Sequence, residues 1–359
     1  MSKKSKGSKG SKAKAAAEEE NAVTRQIVFS NYGKLCKSIG VPVNVHVNEV
    51  LRGDVEEETE LVNFILEGEI GSLGPGGVHA IVLAFLISSF FPNHGAGPGI
   101  TSGPYPHLRY IRMWNQDVQD EGAVMMASLL QSSPPSFNIA YLELLDCAIG
   151  VEGHVPVALF MCRAIAEVLK TQTQPGLLTL KLDYNSDIGD DGVSALCDGL
   201  FTNTVLKKLH LDFCNIGPQG AIKLAQLVAM PQSALEKLSL QGNSLGDEGL
   251  YHFSLGLARS HHLTTLNLAD NAIRHHEEAL TAFRDALLRS KALAHVDFTF
   301  NPIERQGATY LLPALHPDNA KLLSFQVDAA LPADIFAQLN RAPKAEGKKK
   351  GKKGGKKKK

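Results

Sequence analysis

Four pairs of adjacent residues have the chemistry of a catalytic or metal site. They are the acid pairs Asp190–Asp191 and Asp247–Glu248 and the histidine pairs His261–His262 and His275–His276. Paired carboxylates could share general acid and base roles, and paired histidines could bind a metal ion. Adjacent residues on a helix point in different directions, however, and lack the i, i+4 spacing of a chelating pair. We therefore predict helix-start acids, exposed histidines, no catalytic or metal site, no cofactor and no small-molecule substrate.

Another set of residues has the chemistry of protein recognition. It comprises Tyr110, Arg112, Trp114, Tyr141, Glu143 and Leu145. Residues two apart on a strand point to the same face, and Trp, Tyr and Arg are enriched at the centres of protein interfaces. An unused face would be polar, so we predict that these six residues form a protein-binding surface. The alternative is that the N-terminal segment or a nearby Gly/Pro-rich loop folds back over them.

Short repeats must position these residues. The stretch LKKLHLDFCNIGPQG, which begins at Leu206, recurs as LEKLSLQGNSLGDEG, LTTLNLADNAIRHHE and LAHVDFTFNPIERQG. Positions 1, 4, 6 and 11 are apolar, and Asn or Cys usually occupies position 9. A period near 29 residues is typical of a solenoid. With weaker copies included, the units begin at Leu61, Leu108, Ile139, Leu177, Leu206, Leu235, Leu263, Leu293 and Leu322.

The spacing within one unit predicts a strand, a turn and a helix. Positions 4 and 6 point to one face of a short strand, and positions 3, 5 and 7 point from the opposite face into solvent. An Asn at position 9, such as Asn243, can satisfy backbone groups of the turn. The acidic residues that follow suit the positive end of a helix. One unit cannot bury its own apolar face, so the units must stack.

The pattern LxxLxLxx(N/C)x(I/L)GxxG resembles the ribonuclease-inhibitor type of leucine-rich repeat. This resemblance implies an α/β horseshoe with a parallel inner sheet and outer helices. The family includes ribonuclease inhibitor, Ran GTPase-activating proteins, tropomodulin-like actin cappers, innate immune receptors and axonemal subunits. Together with the six concave-face residues, this architecture leads us to predict a non-catalytic scaffold that binds one or more proteins on its concave face.

A Ran-type GTPase-activating protein is the alternative function. That family places an arginine in an early repeat, in a segment similar to GxEAAR at the start of a helix. The corresponding segments here are GPGGVHAIV from Gly74 and QDEGAVMMA from Gln119, and neither contains arginine. Such proteins often carry an acidic C-terminal tail, whereas this tail is basic. The sequence therefore favours the scaffold.

Charge is segregated along the chain although the formal net charge is zero. Residues 1–14 contain six lysines, and residues 344–359 contain ten lysines and one glutamate. Without these sixteen lysines and Glu346, 21 basic and 36 acidic residues remain, which gives residues 15–343 a net charge near −15. Lysine-rich segments with Gly, Ser and Ala cannot bury enough apolar surface to fold, so we predict two disordered tails.

The C-terminal tail is a candidate site for a polyanion. Its lysines are Lys348, Lys349, Lys350, Lys352, Lys353, Lys356, Lys357, Lys358 and Lys359. They could bind nucleic acid, an anionic membrane surface or the acidic tails of tubulin. Alternatively, the tail is a solvated segment that offsets the acidic body.

Five cysteines without a signal sequence indicate a reducing compartment. We expect a cytoplasmic protein, with the cytoskeleton, the flagellum and the nucleus as more specific alternatives.

The domain organisation follows from these features. We predict a basic tail over residues 1–20, an N-terminal cap over 21–60, about eight repeats over 61–321, a C-terminal cap over 322–343 and a polylysine tail over 344–359. A Gly/Pro-rich loop over 92–106 is expected to protrude from the repeats. The apolar run from Val78 to Phe91 is too short to span a bilayer, and we expect a buried repeat helix there.

Overall fold

The structure is a computed structural model that describes residues 25–53, 61–68, 71–87, 90–92, 98–100, 105–132, 139–147, 158–173 and 175–342. Within these residues, nine strands form one open sheet in which each strand pairs in parallel with its neighbours. In order, the strands are β1 Asn63–Leu66, β4 Tyr110–Trp114, β5 Tyr141–Leu145, β6 Thr179–Lys181, β7 Lys208–His210, β8 Lys237–Ser239, β9 Thr265–Asn267, β10 His295–Asp297 and β11 Ser324–Gln326. A separate antiparallel pair joins β2 Phe90–Pro92 to β3 Pro98–Ile100.

A helix follows each strand of the large sheet, and consecutive repeat helices from α3 to α11 pack in sequence along it. The repeat helices are α3 Gly74–Leu86, α4 Gln119–Ser132, α5 Ala158–Thr171, α6 Gly189–Leu200, α7 Pro218–Ala229, α8 Gly246–Leu257, α9 Glu277–Arg289, α10 Glu304–Leu311 and α11 Ala333–Leu339. A single 3₁₀ turn, Leu312–Leu315, follows α10. The predicted solenoid with a parallel sheet and helices is therefore confirmed.

Equal positions of successive units face each other across the sheet. Tyr110 pairs with Tyr141, which pairs with Thr179, and the same zero offset continues to Ser324. Side chains at positions 4 and 6, such as Leu209 and Leu211, are buried completely. The register predicted from the sequence is confirmed, and it brings side chains that are about thirty residues apart into cross-strand contact.

In the units from Ile139 to Leu293 the position-9 side chain binds the unit to the one before it. Asn243 Oδ1 accepts hydrogen bonds from the backbone N–H groups of Cys214 and Ile216 at 3.1 and 2.9 Å. Its Nδ2 donates to the carbonyl oxygens of Leu211 and Leu240, both at 2.9 Å. The amide therefore satisfies buried backbone groups on both sides of the repeat boundary.

Cysteine replaces the amide in two units without breaking this connection. The Cys214 thiol donates to the Leu182 carbonyl oxygen at 3.1 Å, and the Cys147 thiol donates to that of Met113 at 3.4 Å. Both cysteines are buried, and burial raises the pKa of the Cys147 thiol to about 12. They act as small core residues with a weak donor, as the repeat pattern predicts.

The acids at the helix starts reach the next unit. Asp190 lies in the first turn of α6, but its Oδ1 accepts hydrogen bonds from the backbone N–H groups of Gly217 and Gly220 at 2.6 and 2.9 Å. Gly217 is the N-cap residue of α7 and has no side chain of its own for capping. The sequence correctly placed the acid at a helix start, and the structure adds that it caps the helix of the following repeat.

Position 8 adopts a left-handed backbone in the seven units from Leu108 to Leu293. The residues are Asn115, Asp146, Tyr184, Phe213, Gly242, Asp270 and Phe300, with φ between 49° and 69°. Asn, Asp and Gly tolerate this conformation, whereas bulky aromatic residues rarely adopt it. At Gly242 a side chain is also excluded by space, because a Cβ there would overlap the Phe213 ring.

The N-terminal part begins with helix α1, which includes residues 25–39, and α2, Val45–Arg52. The Arg25 side chain donates from Nε to the Leu51 carbonyl oxygen at 2.9 Å and so joins the two helices. Asn44 caps α2 by accepting a hydrogen bond from the Val47 N–H at 3.1 Å. Helix α2 contacts β1, which is the first strand of the sheet.

Two expectations for residues 78–106 were wrong in detail. The apolar run does not form one helix to Phe91, because α3 ends at Leu86 and the run continues into β2. The Gly/Pro-rich segment is not wholly a protruding loop, because Pro98–Ile100 pairs with β2 and Tyr105 is buried. The Tyr105 hydroxyl accepts a hydrogen bond from the Leu61 N–H at 2.9 Å, which returns the chain to the first repeat.

The position-9 amide should be a major source of stability. Replacing Asn243 with Ala leaves the Cys214 and Ile216 N–H groups buried without acceptors. We expect a loss of about 3 kcal/mol in the free energy of unfolding, measured by urea denaturation. Gln226→Ala on the exposed side of α7 is the control and should change stability by less than about 0.5 kcal/mol. Equal effects of the two changes would contradict this role.

Phe300 should be a site where stability can be gained. Its φ is 58° and its side chain is 64% exposed, so it gains little from burial in a strained conformation. Phe300→Asn should raise the free energy of unfolding by about 1 kcal/mol, because Asn tolerates the left-handed region. Asp270→Asn, at the same position of the preceding unit, should be nearly neutral. A destabilised Phe300→Asn variant would show that the aromatic ring itself supports the fold.

Candidate protein-binding surface

The six residues predicted for protein recognition lie together on strands β4 and β5. Cross-strand pairing places Tyr110 beside Tyr141, Arg112 beside Glu143 and Trp114 beside Leu145. These pairs lie on the open face of the sheet, which is the face formed by positions 3, 5 and 7. The structure therefore brings the whole predicted set into one surface, here named the Trp114 surface.

The two tyrosines form a rigid part of the Trp114 surface. Their rings stack with centroids 4.4 Å apart and an interplanar angle of 21°. The Tyr110 hydroxyl donates to Glu143 Oε2 at 2.8 Å, and Lys181 Nζ lies 5.5 Å from the centroid of the Tyr141 ring. Burial, together with the bond to Glu143, raises the pKa of Tyr110 to about 12, so the hydroxyl remains a donor at neutral pH.

Glu143 is the centre of a charged network. Lys181 Nζ donates to its Oε1 at 2.9 Å, and Arg112 Nε lies 3.9 Å from its Oε2. Arg112 also pairs with Glu67 at 3.2 Å. Although burial opposes the charge of Lys181, its contacts with Tyr141 and Glu143 outweigh that effect and raise its pKa. Opposite charges thus surround a carboxylate that would be costly to bury alone.

The expectation that all position-5 side chains point into solvent was wrong for Glu143. It is only 4% exposed, because Tyr110, Arg112 and Lys181 cover it. Glu143 therefore organises its neighbours more than it offers a contact to a partner. Trp114, in contrast, is 45% exposed at the end of β4, and Leu145 beside it is half-buried. Trp114 is therefore the most exposed residue of the Trp114 surface, and Arg112 adds a partly exposed positive charge.

A buried carboxylate lies next to this network. Asp183 Oδ1 accepts a hydrogen bond from the Asp212 N–H at 2.8 Å. Burial, together with the negative charge of Asp212, raises the pKa of Asp183 to about 7. His210 lies close by, and burial with the positive charges of Lys237 and Lys181 lowers its pKa to about 4. At neutral pH the histidine is therefore uncharged.

Asp183, His210 and Asp212 also have potential metal-ligand atoms within 4.8 Å of one another. The Asp212 carboxylate already accepts hydrogen bonds from the Ser239 hydroxyl at 2.9 Å and the Gln241 N–H at 2.7 Å. Each of these two aspartates binds the backbone of the following strand, which accounts for its position without an ion. We therefore assign the cluster a role in joining repeats.

Sequence reasoning missed the aromatic residues at position 8. Tyr184 and Phe213 stack at 4.9 Å with an interplanar angle of 7°, and Phe300 lies three units beyond Phe213. The available signal was a bulky ring in a turn position where other units have Asn, Asp or Gly. That signal becomes meaningful only when the backbone conformation is known.

The remaining predicted sites divide into two groups. His261, His262, His275 and His276 are exposed, as predicted. The polyanion candidates from Lys348 to Lys359 and the N-terminal lysine tail lie outside the described residues. Among the residues that are described, no helix is long and apolar enough to cross a membrane.

The raised pKa of Asp183 should make stability depend on pH. An unfolded aspartate has a pKa near 4, so the stability contributed by protonated Asp183 is complete below that value and is lost as the pH rises through about 7. Between pH 6 and pH 8, the parent should lose about 1 kcal/mol more unfolding free energy than Asp183→Asn. The opposite contribution of His210 is present in both proteins and cancels. Parallel pH profiles in urea denaturation would contradict this prediction.

Comparison with known proteins agrees with the repeat geometry. A family model described as "Leucine Rich repeat" matches residues 176–197, 202–225, 233–254 and 259–274. Leucine-rich repeat-containing protein 45 of Gallus gallus is 37% identical over 91 residues, which are 25% of this chain and 13% of that protein. Ribonuclease inhibitor of Sus scrofa is 29% identical over 156 residues, 43% of this chain and 31% of that protein.

Other known proteins also match only part of this chain and only part of their own length. NACHT, LRR and PYD domains-containing protein 12 of Mus musculus is 36% identical over 152 residues, 42% of this chain and 13% of that protein. The chain thus spans less than a third of the length of each of these three curated relatives. Among solved structures, the tropomodulin C-terminal domain of Caenorhabditis elegans has a TM-score of 0.38 at 14% identity, covering 45% of this chain and 93% of that domain. The repeat register, the position-9 bonds and the matched segments together show that this chain is built from leucine-rich repeats, and the matched part is similar to proteins with repeats of the ribonuclease-inhibitor type.

Proposed function

We propose that this chain is a non-catalytic scaffold that binds a partner protein through the Trp114 surface. The repeat architecture is suited to protein binding, since it presents a continuous face built from successive strands. The observation that carries the proposal is Trp114, which is 45% exposed beside two stacked tyrosines. Exposed aromatic surface of this kind is typical of a contact site.

The Trp114 surface is also ordered before a partner arrives. The stack of Tyr110 on Tyr141 and the bonds of Glu143 to Tyr110 and Lys181 restrain the side chains that surround Trp114. Binding then loses less conformational entropy than it would with free side chains. A partner that places an apolar side chain against Trp114 and Leu145 fits this surface best.

The lysine-rich tails supply a second, electrostatic function in this proposal. Ten lysines in residues 344–359 would dock the scaffold to a polyanion, such as tubulin tails, nucleic acid or anionic lipid. The acidic body would be held away from the same polyanion by its net charge near −15. We accordingly propose a cytoplasmic scaffold on a polyanionic assembly such as the cytoskeleton or a flagellum.

No observation favours a GTPase-activating role, since α3 and α4 contain no arginine.

A quantitative pull-down from native extract would test both parts of the proposal. The baits are the full chain, the full chain with Trp114→Ala and Tyr141→Ala, and the full chain with the nine lysines between Lys348 and Lys359 changed to Gln. Loss of two aromatic contacts should weaken the affinity for a specific partner on the order of several hundred-fold and so remove it from the recovered proteins, because central interface residues contribute about 2 kcal/mol each.

The matched control replaces exposed side chains on the outer helices. Tyr251→Ala with Leu255→Ala removes comparable apolar area from α8 and should retain the partner. Partners lost only with the aromatic change place recognition on the Trp114 surface. Partners lost only with the lysine change indicate that electrostatic docking dominates. If both controls and variants recover the same proteins, the scaffold proposal for this surface is wrong.

A further inference from the structure

The turns that follow the strands form a second surface with a distinct chemistry. Since the strands are parallel, these turns lie along one edge of the sheet. We define the rim as residues 114–118, 145–147, 183–188, 212–216, 241–245, 269–273 and 299–303. Its acidic residues are Asp117, Asp146, Asp183, Asp187, Asp212 and Asp270, and its aromatic residues are Trp114, Tyr184, Phe213 and Phe300. The rim sequence contains no lysine, arginine or histidine.

Three of the four aromatic residues of the rim, Tyr184, Phe213 and Phe300, adopt the left-handed backbone conformation that bulky residues rarely adopt. Tyr184 has φ of 64° and Phe213 has φ of 56°, and their rings stack almost parallel at 4.9 Å. Tyr184 is 54% exposed, and the partly exposed Phe213 ring packs against Gly242 of the next turn, where a Cβ would overlap it. A strained backbone that supports exposed rings indicates a use for those rings. Flat aromatic faces near carboxylates attract the cations of lysine and arginine.

We propose that the rim binds the lysine-rich segment 344–359 of this same chain. The segment carries ten lysines and one glutamate, and the body that includes the rim has a net charge near −15. Lysine side chains would lie over the exposed Tyr184 ring, which stacks on Phe213, and pair with the neighbouring exposed carboxylates of Asp146 and Asp187. The rim shares Trp114 and Leu145 with the Trp114 surface, but the contacts proposed for the segment, at Tyr184, Asp146 and Asp187, lie outside it. The proposal therefore does not depend on partner binding.

The start of the segment is placed within reach of the rim. Arg341 pairs with Phe325 of β11 through backbone hydrogen bonds at 2.8 Å in both directions. From β11 to β7 there are four strand steps, a distance of about 19 Å. A segment of sixteen residues can extend about 50 Å. The segment can therefore reach Phe213 and Tyr184, and its attachment gives it a high effective concentration that a separate basic peptide lacks.

If the segment 344–359 occupies the rim, the rim and an external polyanion compete for the same lysines. Lysines on the rim are unavailable to an external polyanion, and a polyanion that captures them would expose the rim. The attraction is electrostatic and lies at the protein surface, so salt should weaken it.

Energy transfer within the full chain tests this proposal. Trp114 is the single tryptophan and lies at the rim, so it serves as the donor. A Gly354→Cys change provides one accessible thiol for a fluorescent acceptor, because the five native cysteines are all buried. We expect transfer that is independent of protein concentration at low salt and at least twofold weaker in about 0.5 M salt, where the screening length is only a few ångströms.

Substitutions at the rim separate this contact from a tail that moves freely. Tyr184→Ser with Phe213→Ser should weaken transfer at least twofold. Asp146→Asn with Asp187→Asn should do the same, and it removes two charges while Asn tolerates the left-handed backbone at position 146. The control, Tyr251→Ser with Leu255→Ser on α8, should transfer as the parent does. Thermal melts verify that each variant is folded.

Two results would overturn the proposal. Transfer that is the same in the rim variants and the control, or insensitive to salt, would show that the tail does not contact the rim. Absence of transfer in the parent, with binding of an added peptide of residues 344–359 to the rim, would mean that the rim serves an external basic protein instead. Neither result depends on the Trp114 surface, because the pull-down partner is absent from the experiment.

Discussion

The structure depends on one interaction that recurs between repeats, the hydrogen bonds of the position-9 side chain. Asn185, Asn243, Asn271 and Asn301 donate to a carbonyl oxygen of the preceding unit, and Cys214 does the same through its thiol. The turn of one repeat thus has its buried polar groups satisfied only when the next repeat is in place. Folding is consequently a property of the stack, and a single unit has no reason to be stable.

The fixed register of the stack also creates the chemistry of the open face. Zero offset places side chains of equal position in rows, so Tyr110 meets Tyr141 and Glu143 meets both Arg112 and Lys181. These residues are far apart in the sequence, and the contacts among them exist only because neighbouring repeats share a register. The buried Glu143 carboxylate is stable there because Tyr110, Arg112 and Lys181 surround it with donors.

A neutral total charge conceals two opposed electrostatic parts. The body is acidic and its acids are unevenly placed, since the rim turns contain aspartate but no basic residue. The charged residues of the two tails are all lysines except Glu346. On the open face, by contrast, Lys181, Lys208 and Lys237 lie on the same face as the acidic residues Glu143 and Asp297, so this face is electrostatically mixed. Any partner therefore meets different chemistry on the sheet face, along the rim and at the tails.

The sequence by itself determined the repeat period, the strand positions and the location of the Trp114 surface, because apolar spacing directly encodes which residues can be buried. Tertiary structure alone decided which polar residues are buried. Glu143 occupies a solvent-facing position of its strand and is covered by residues from neighbouring units. The left-handed backbone at Tyr184 and Phe213 could not be predicted from the sequence either. The stack imposes the geometry of these turns and overrides the conformational preference of the aromatic residues. Local patterns specify one unit, whereas contacts between units depend on side chains that no local pattern brings together.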